Sequence, residues 1–157
     1  MADNKLQKQF RREVQHLQAQ MQEKANGVDI VVGTEDNPIV TDSDLIPIKH
    51  YFMDGVYVRE MTMKKGIVVV GAIHKHLHMC FLLTGRITVI NEEETIDHIA
   101  PCFIISRPGI KRVLYAHEDS MWFNTHKNPT NTEDIKQLEK DIVAITYEEY
   151  EEYIKNK

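Results

Sequence analysis

The sequence predicts a mainly β protein: one β-sandwich or β-barrel domain with helices at its two ends. Residues 28–128 consist of short apolar runs rich in Val, Ile, Phe and Tyr, separated by turn sequences such as "TDSD", "MDG" and "RPG". Residues 3–25 and the stretch after "HKNPTNTED" show the helical period instead. We therefore predict an N-terminal helix (1–27), a β-barrel (28–128) and a C-terminal helical segment (129–157).

Length and charge narrow the class of protein. A chain of 157 residues suits one domain. Its formal net charge of −5 and its lack of a basic patch argue against nucleic acid and anionic membrane surfaces as partners. The longest apolar stretches, 67–73 and 79–83, are too short to span a bilayer, and the polar N-terminus does not resemble a secretory signal. Cys80 and Cys102 lie in apolar runs, so we expect reduced, buried thiols and a cytoplasmic protein.

The N-terminal helix is predicted by one apolar stripe with steps of four and three residues. Asn26-Gly27 ends it, because both residue types tolerate positive φ. The stripe packs on the helix's own domain or on a second subunit, and the sequence leaves both readings open. Its members are Leu6, Phe10, Val14, Leu17 and Met21.

The β region is predicted to contain about eight to ten strands, some of the apolar runs merging with their neighbours. The runs are 28–32, 38–41, 45–52, 56–63, 67–74, 76–83, 86–91, 95–99, 102–106, 111–117 and 121–126.

Two short helices are predicted after the β region. Ile135, Leu138 and Ile142 make the apolar stripe of the first. Thr146 followed by Glu149 is a capping-box pattern that starts the second. Tyr147 and Tyr150 share one face of this second helix. We expect both side chains to pack against the barrel.

Histidines alternate in "GAIHKHLHMCFLLTGRITV", residues 71–89. Side chains on a strand alternate between its two faces, so His74, His76 and His78 are predicted to point the same way. Neutral imidazole is the commonest metal ligand in proteins. The pattern fits a metal site, and it also fits a pocket wall of hydrogen-bonded histidines without an ion.

The same stretch resembles the first motif of the cupin superfamily. His74 and His76 match that motif's paired histidines, Gly85 matches its second glycine, and His78 stands where the family has a glutamate. The resemblance covers about residues 60–130. It implies a small jelly-roll β-barrel of the RmlC-like type, with a metal held by histidines.

The second cupin motif is also recognisable, in "IAPCFIISRPGIKRV". Pro108 and Gly109 match its turn, but Arg112 stands where the family has its last histidine. The segment "PGIKRVLYAHEDSMWFNTHKNPTNTEDI" is similar to cupin-like proteins of tailed bacteriophages. That likeness implies a viral gene product in the host cytoplasm or on the virion.

Two models of the site follow. In the first, His74, His76 and His78 hold a divalent transition metal (Zn, Fe, Mn or Ni), with His126 as a candidate further ligand, and Arg112 holds an anionic ligand. In the second, the histidines and Arg112 form an anion pocket without metal, because the guanidinium fork suits carboxylates and phosphates. The further candidate ligand-binding residues are Arg59, Tyr57 and Trp122.

The first functional hypothesis is therefore a cupin-type protein that binds an anionic small molecule. If it is an enzyme, the resemblance implies metal-assisted oxygenation or isomerisation, with His78 or Tyr57 moving protons. A bacteriophage structural or accessory protein is the second hypothesis. The third is a protein that sequesters a host signalling nucleotide. We also expect a homo-oligomer formed through the barrel or the N-terminal helix.

Overall fold

A computed structural model describes residues 5–26, 30 and 46–157. The strands predicted at 28–32 and 38–41 lie outside these residues, apart from Ile30. In the described part of the chain, no helix is long and apolar enough to cross a membrane.

The order of elements follows the predicted order closely. Helix α1 (Lys5–Glu23) precedes the β region, and two short helices follow it, as expected. The strands are β1 (Ile48–Met53), β2 (Gly55–Met63), β3 (Val68–Val70), β4 (Ile73–His74), β5 (His78–Thr84), β6 (Arg86–Ile90), β7 (Thr95–Ile99), β8 (Cys102–Ser106), β9 (Val113–Ala116), β10 (Ser120–Asn128) and β11 (Val143–Ala144). The C-terminal helices are α2 (Ile135–Ile142) and α3 (Tyr147–Lys155).

Two antiparallel sheets face each other. The larger sheet has the strand order β1-β2-β10-β5-β8, and the smaller has the order β3-β9-β6-β7. Alternation explains the core between them: Ile87 and Val89 point inward from β6, while Arg86 and Thr88 point outward. The mainly β prediction is confirmed. The inward side chains form one apolar cluster that includes Met63, Leu82, Ile87, Leu114 and Trp122.

Helix α1 packs on its own chain. Val14 in the predicted stripe is buried. The Arg11 guanidinium forms a 3.2 Å ion pair with Glu92 and lies 4.3 Å from the centre of the Tyr147 ring. The predicted stripe is therefore used at least within the subunit.

The C-terminal helices begin at caps. The Asp134 carboxylate accepts hydrogen bonds from the first backbone N–H groups of α2. The Thr146 hydroxyl accepts the Glu149 N–H at 3.1 Å, as predicted, while the Glu149 carboxylate accepts the Ile145 N–H. Tyr147 is buried against Ile73 and Ala144, on the two strands β4 and β11 rather than on either larger sheet.

The histidine segment is not one alternating strand, and this part of the prediction is wrong. Strand β4 ends at His74, residues 75–77 form a bend, and β5 begins at His78. Long-range bonds hold the backbone here. The Lys75 N–H donates to the Ile142 carbonyl at 2.7 Å, and the Gly109 N–H donates to the His74 carbonyl at 2.9 Å. β4 pairs with β11 and stands outside both larger sheets.

Candidate metal centre

Three histidines from three strands meet inside the molecule. His74 comes from β4, His78 begins β5 and His126 lies on β10, and one ring nitrogen of each lies within 4.8 Å of the others. The ring centroids of His74 and His78 are 4.1 Å apart, and that of His126 is 4.6 Å from His78 and 5.2 Å from His74. We call these three residues the histidine cluster.

Strand register brings the cluster together. His78 shares the inward face of β5 with Cys80 and Leu82, both buried. His126 lies opposite Tyr57 in the pairing of β10 with β2. The adjacent inward row of the larger sheet is polar on three strands, at His50, Arg59 and Asn124. It continues into the apolar core at Cys80 and Ile104.

The cluster presents nitrogens that lack hydrogen-bond partners. Nε2 of His78 and both ring nitrogens of His126 are buried and accept or donate no hydrogen bond to a described residue. A buried polar atom left in this state costs about 1–3 kcal/mol. Such atoms converging on one point fit a bound metal ion, because each neutral imidazole offers one lone pair to it.

Burial also sets the protonation state of the cluster. Desolvation lowers the pKa of His78 to about 4 and that of His126 to about 2, and it holds the pKa of His74 well below its ordinary value. All three rings are therefore neutral at pH 7. A metal ligand must be neutral imidazole, so the environment favours the ligating form.

His76 stands outside this trio although it carries the same sequence signal. It lies in the bend after β4, and its ring centroid is 5.4 Å from that of His126 and 6.1 Å from that of His78. Both of its ring nitrogens are buried without a partner in the described structure. Of the four predicted ligands, the geometry brings His74, His78 and His126 together and leaves His76 beside them.

A cavity of about 170 Å³ adjoins the cluster between the two sheets. His74 forms part of its wall, and apolar side chains form much of the rest. Its other polar and aromatic lining residues are Arg59, Arg112, Trp122, Asn124 and Glu139.

Arg112 brings a positive charge to the wall of this cavity that no described carboxylate neutralises. Its side chain is buried, and Nη1 donates to the Cys80 sulfur at 3.7 Å. No described carboxylate lies within ion-pair distance of it. A guanidinium cannot lose its proton, so a buried one without a counter-ion favours binding of an anion.

The positive charge of Arg59, in contrast, is neutralised by a carboxylate. It forms an ion pair with Glu139 from α2, and its Nε donates to the Tyr57 hydroxyl at 3.1 Å. Sequence reasoning missed Glu139, although the residue occupies the position next to Leu138 in the apolar stripe of α2. A charged residue at a core-facing helical position was the available signal.

Tyr57 and Trp122 have different places. Tyr57 is fully buried behind the cluster, its ring stacks on His126 at 6.0 Å, and its hydroxyl shares a 2.7 Å hydrogen bond with His50. It is not among the residues that line the cavity. Trp122 lines the cavity and also packs in the core, and its Nε1 donates to Asn124 at 3.1 Å.

Cys80 is not part of the histidine cluster. Its thiol donates to the Asn124 side-chain oxygen at 3.2 Å, and burial raises its pKa to about 11. Both cysteines are free, as predicted, but Cys102 is only half-buried.

Comparison with solved structures gives the fold. The chain is similar to a salicylate 1,2-dioxygenase from Pseudaminobacter salicylatoxidans, with a TM-score of 0.53 at 11% identity, over 85% of this chain and 36% of the dioxygenase. It is also similar to KdgF from Halomonas sp. (TM-score 0.49, 14% identity, 55% of this chain and 83% of KdgF). An RmlC-like cupin from Shewanella frigidimarina matches with a TM-score of 0.49 at 12% identity, over 60% of this chain and 83% of that protein.

These likenesses bear on the fold alone. The chain has the jelly-roll fold of the cupins, as the resemblance of its motifs predicted. No protein-family model and no curated protein matches the sequence.

Proposed function

We propose that this cupin-fold chain binds a small anionic molecule next to a divalent transition metal held by His74, His78 and His126. The observation that carries the proposal is the convergence of three imidazoles, one ring nitrogen of each lying within 4.8 Å of the others. In two of them, His78 and His126, buried ring nitrogens lack a hydrogen-bond partner among the described residues. Structural histidines in a core normally have hydrogen-bond partners, because an unmade bond there is costly.

The three donor atoms indicate which metal ions the site would suit. Three neutral imidazoles suit Zn, Fe, Mn or Ni, and they leave coordination positions open for water or a ligand. A metal in such a site acts as a Lewis acid on a bound oxygen atom. The protein's own contribution is to hold the three rings neutral and fixed, with the Tyr57 ring stacked against His126.

Arg112 selects the charge of the ligand. Its guanidinium lines the cavity that His74 also lines, so an anion bound there lies near the histidine cluster. Because the Arg59 charge is already neutralised by Glu139, Arg112 is the cation that an incoming carboxylate or phosphate would meet.

The cavity volume favours a small ligand. About 170 Å³ lies below the roughly 300–1,000 Å³ typical of pockets for drug-sized molecules. A small carboxylate or inorganic phosphate fits this space better than a nucleotide does. We therefore rank small-molecule binding above nucleotide sequestration. The catalytic reaction, the bacteriophage origin and the cytoplasmic or virion location stay predictions from the sequence.

The first test is metal content by plasma mass spectrometry on untagged protein. We expect near-stoichiometric metal in the wild type and little in His78→Ala and His126→Ala. His76→Ala is the matched control, because it removes a neighbouring histidine that lies outside the cluster. Metal-free wild type after loading with divalent ions would refute the metal site. Metal lost equally in His76→Ala would refute the assignment of ligands.

A second measurement tests the anion. Calorimetric titration of the metal-loaded protein with salicylate and with inorganic phosphate uses two probes of known charge. We expect binding of at least one probe, weakened at least about tenfold in Arg112→Gln, since a charge-assisted bond contributes about 1.5–3 kcal/mol. An unchanged affinity in that variant would refute the role of Arg112.

A further inference from the structure

A second cavity lies between helices α2 and α3, the bend after β4 and the end of β10. Its volume is about 400 Å³, within the roughly 300–1,000 Å³ typical of small-molecule pockets. It is separate from the cavity that Arg112 lines, because the two have no lining residue in common. We call it the lysine cavity, after Lys75, Lys127 and Lys140 in its wall.

The three lysines reach this cavity from distant parts of the chain. Lys75 lies in the bend after β4, Lys127 near the end of β10 and Lys140 in the last turn of α2. A fourth cation is close by, since Nζ of Lys157 is 5.8 Å from the centre of the Tyr153 ring, which also lines the cavity. The fold therefore gathers positive charge at one place on a chain whose net charge is −5.

Little negative charge opposes these lysines. In the described part of the chain, neither Lys127 nor Lys140 forms an ion pair with a carboxylate. Asp141 is the one described carboxylate in the wall, and it already accepts a 2.9 Å hydrogen bond from the Gln137 side chain. The wall therefore carries more positive than negative charge.

The Lys75 side chain is buried and held by several contacts. It is only 10% exposed, and its ammonium group donates to the Lys140 carbonyl at 2.6 Å. The Glu149 carboxylate, at 3.5 Å, offsets part of its charge, and the centre of the Tyr153 ring is 5.4 Å away. An ammonium group has three N–H donors, so one is left for a ligand in the cavity. This fixed, buried cation distinguishes the cavity from a chance group of surface lysines.

His76 forms the wall of the cavity on the side of the histidine cluster. Its ring centroid is 5.4 Å from that of His126. Burial, followed by the positive charges of Lys127 and Lys157, lowers the pKa of His76, so both ammonium groups act on this ring. None of the three cluster histidines lines the cavity. A ligand in the cavity is therefore next to the metal site without contacting it.

The chemistry of the wall indicates what the ligand carries. Lysine ammonium groups bind phosphate as point charges, and a phosphate monoester brings about −1.5 to −2 charge at pH 7. Leu138, Ile142 and Pro129 supply apolar surface beside them. The Thr130 hydroxyl and the Asp141 carboxylate offer acceptors to hydroxyl groups. The wall thus suits a phosphate group attached to a hydroxyl-bearing body.

We propose that the lysine cavity binds a phosphorylated small molecule of the size of a sugar phosphate, with its phosphate group between Lys75, Lys127 and Lys140. This binding depends on neither a metal nor Arg112. It can therefore succeed or fail independently of the function proposed for the histidine cluster.

Calorimetric titration of the full chain with ribose 5-phosphate tests the site, and ribose is the uncharged comparison. We expect the wild type to bind ribose 5-phosphate and to show no heat of binding with ribose. In the double variant Lys127→Gln/Lys140→Gln the affinity for ribose 5-phosphate is expected to fall at least about tenfold, because hydrogen bonds to charged groups are the strong ones. Both replaced side chains are exposed, so the variant can fold.

Lys8→Gln/Lys65→Gln is the matched control. It removes the same amount of charge from two exposed lysines that do not line the cavity. Its affinity is expected to stay within about twofold of the wild type, since charges distant from the ligand are screened by salt. Arg112→Gln is expected to bind ribose 5-phosphate as the wild type does, because Arg112 lines the other cavity.

Three results would overturn the proposal. Failure of the wild type to bind ribose 5-phosphate at millimolar concentration would show that the cavity does not recognise a sugar phosphate. Equal weakening in the two lysine double variants would assign the binding to overall charge. Loss of binding in Arg112→Gln, with full affinity in Lys127→Gln/Lys140→Gln, would place the phosphate in the other cavity.

Discussion

Two groups of basic side chains differ sharply in their surroundings. On the outward side of the smaller sheet, Asp97 accepts hydrogen bonds from Arg86 and Thr88, each at 2.5 Å. Thr88 also shares a 2.6 Å hydrogen bond with His117. The hydrogen bonds from Thr88 and Arg86 lower the pKa of Asp97. Asp97, Thr88 and His117 all have hydrogen-bond partners within this exposed network, and the Arg86 Nε is the group left without one among the described residues.

The interior shows the reverse arrangement. The histidine cluster and Arg112 are buried, yet no carboxylate of the described chain pairs with them. Lys111, the residue before Arg112, is buried too, and its ammonium group donates a 3.3 Å hydrogen bond to the Ile145 carbonyl. Satisfied groups on a surface stabilise modestly, whereas unsatisfied groups in a core cost stability. The difference supports the proposed binding of a metal and an anion in the interior.

The largest expected effect is on metal affinity, when one histidine of each group is replaced by alanine. His126→Ala should weaken metal binding by at least about 100-fold, because even an outer partner of a metal ligand contributes about 10–100-fold. His117→Ala should leave metal affinity unchanged. Competition with a chromogenic chelator measures both, and equal losses in the two variants would abolish the distinction.

Metal should also stabilise the wild type and fail to stabilise His126→Ala. At a free concentration 100 times the dissociation constant, binding adds about 2.7 kcal/mol. That corresponds to a rise in Tm of roughly 5–10 °C for a domain of this size. Melting with and without added Zn²⁺ measures the shift. A similar rise in His126→Ala would show that metal binds elsewhere.

Replacing one arginine of each group should change the free energy of unfolding by different amounts. Arg112→Met should raise the free energy of unfolding of ligand-free protein by about 1–3 kcal/mol, because it removes a buried charge without a counter-ion. Arg86→Met, at an exposed ion pair, should change it by less than about 1 kcal/mol. Urea unfolding at pH 7 measures both. A destabilised Arg112→Met would mean that the guanidinium is a structural group.

The buried Lys111 should make the stability of the protein depend on pH. Burial lowers its pKa to about 8, while the unfolded chain keeps the proton up to about 10.4. Between these values the unfolded state binds more protons, so the stability of the wild type should rise with pH. Lys111→Met should be more stable than the wild type by about 1–2 kcal/mol at pH 7, and this gain should shrink as pH rises from 8 to 10. A gain independent of pH would assign the effect to packing instead.

Much of the fold was readable because alternation and turn residues are local signals. The runs at 86–91, 95–99 and 102–106 correspond to β6, β7 and β8 almost residue for residue. The capping box of Thr146 and Glu149, which starts α3, was an equally local signal.

Only part of the candidate site could be predicted from the sequence. His74 and His78 were predicted from their spacing, and His126 was a candidate from the alternation in "MWFNTH". The exclusion of His76 depends on a bend fixed by Ile142 and Gly109, which lie far along the chain. The pairing of Arg59 with Glu139 spans 80 residues, and no local pattern reports it.

The pairing of β4 with β11 has a consequence for the order in which the protein is made. His74 is held by a strand that begins at Val143, so about 70 further residues must be synthesised before that support exists. At about 5–20 residues per second, the ribosome needs several seconds for them. The three imidazoles can therefore take up the arrangement seen here only after Val143 has been synthesised, well after His74 itself.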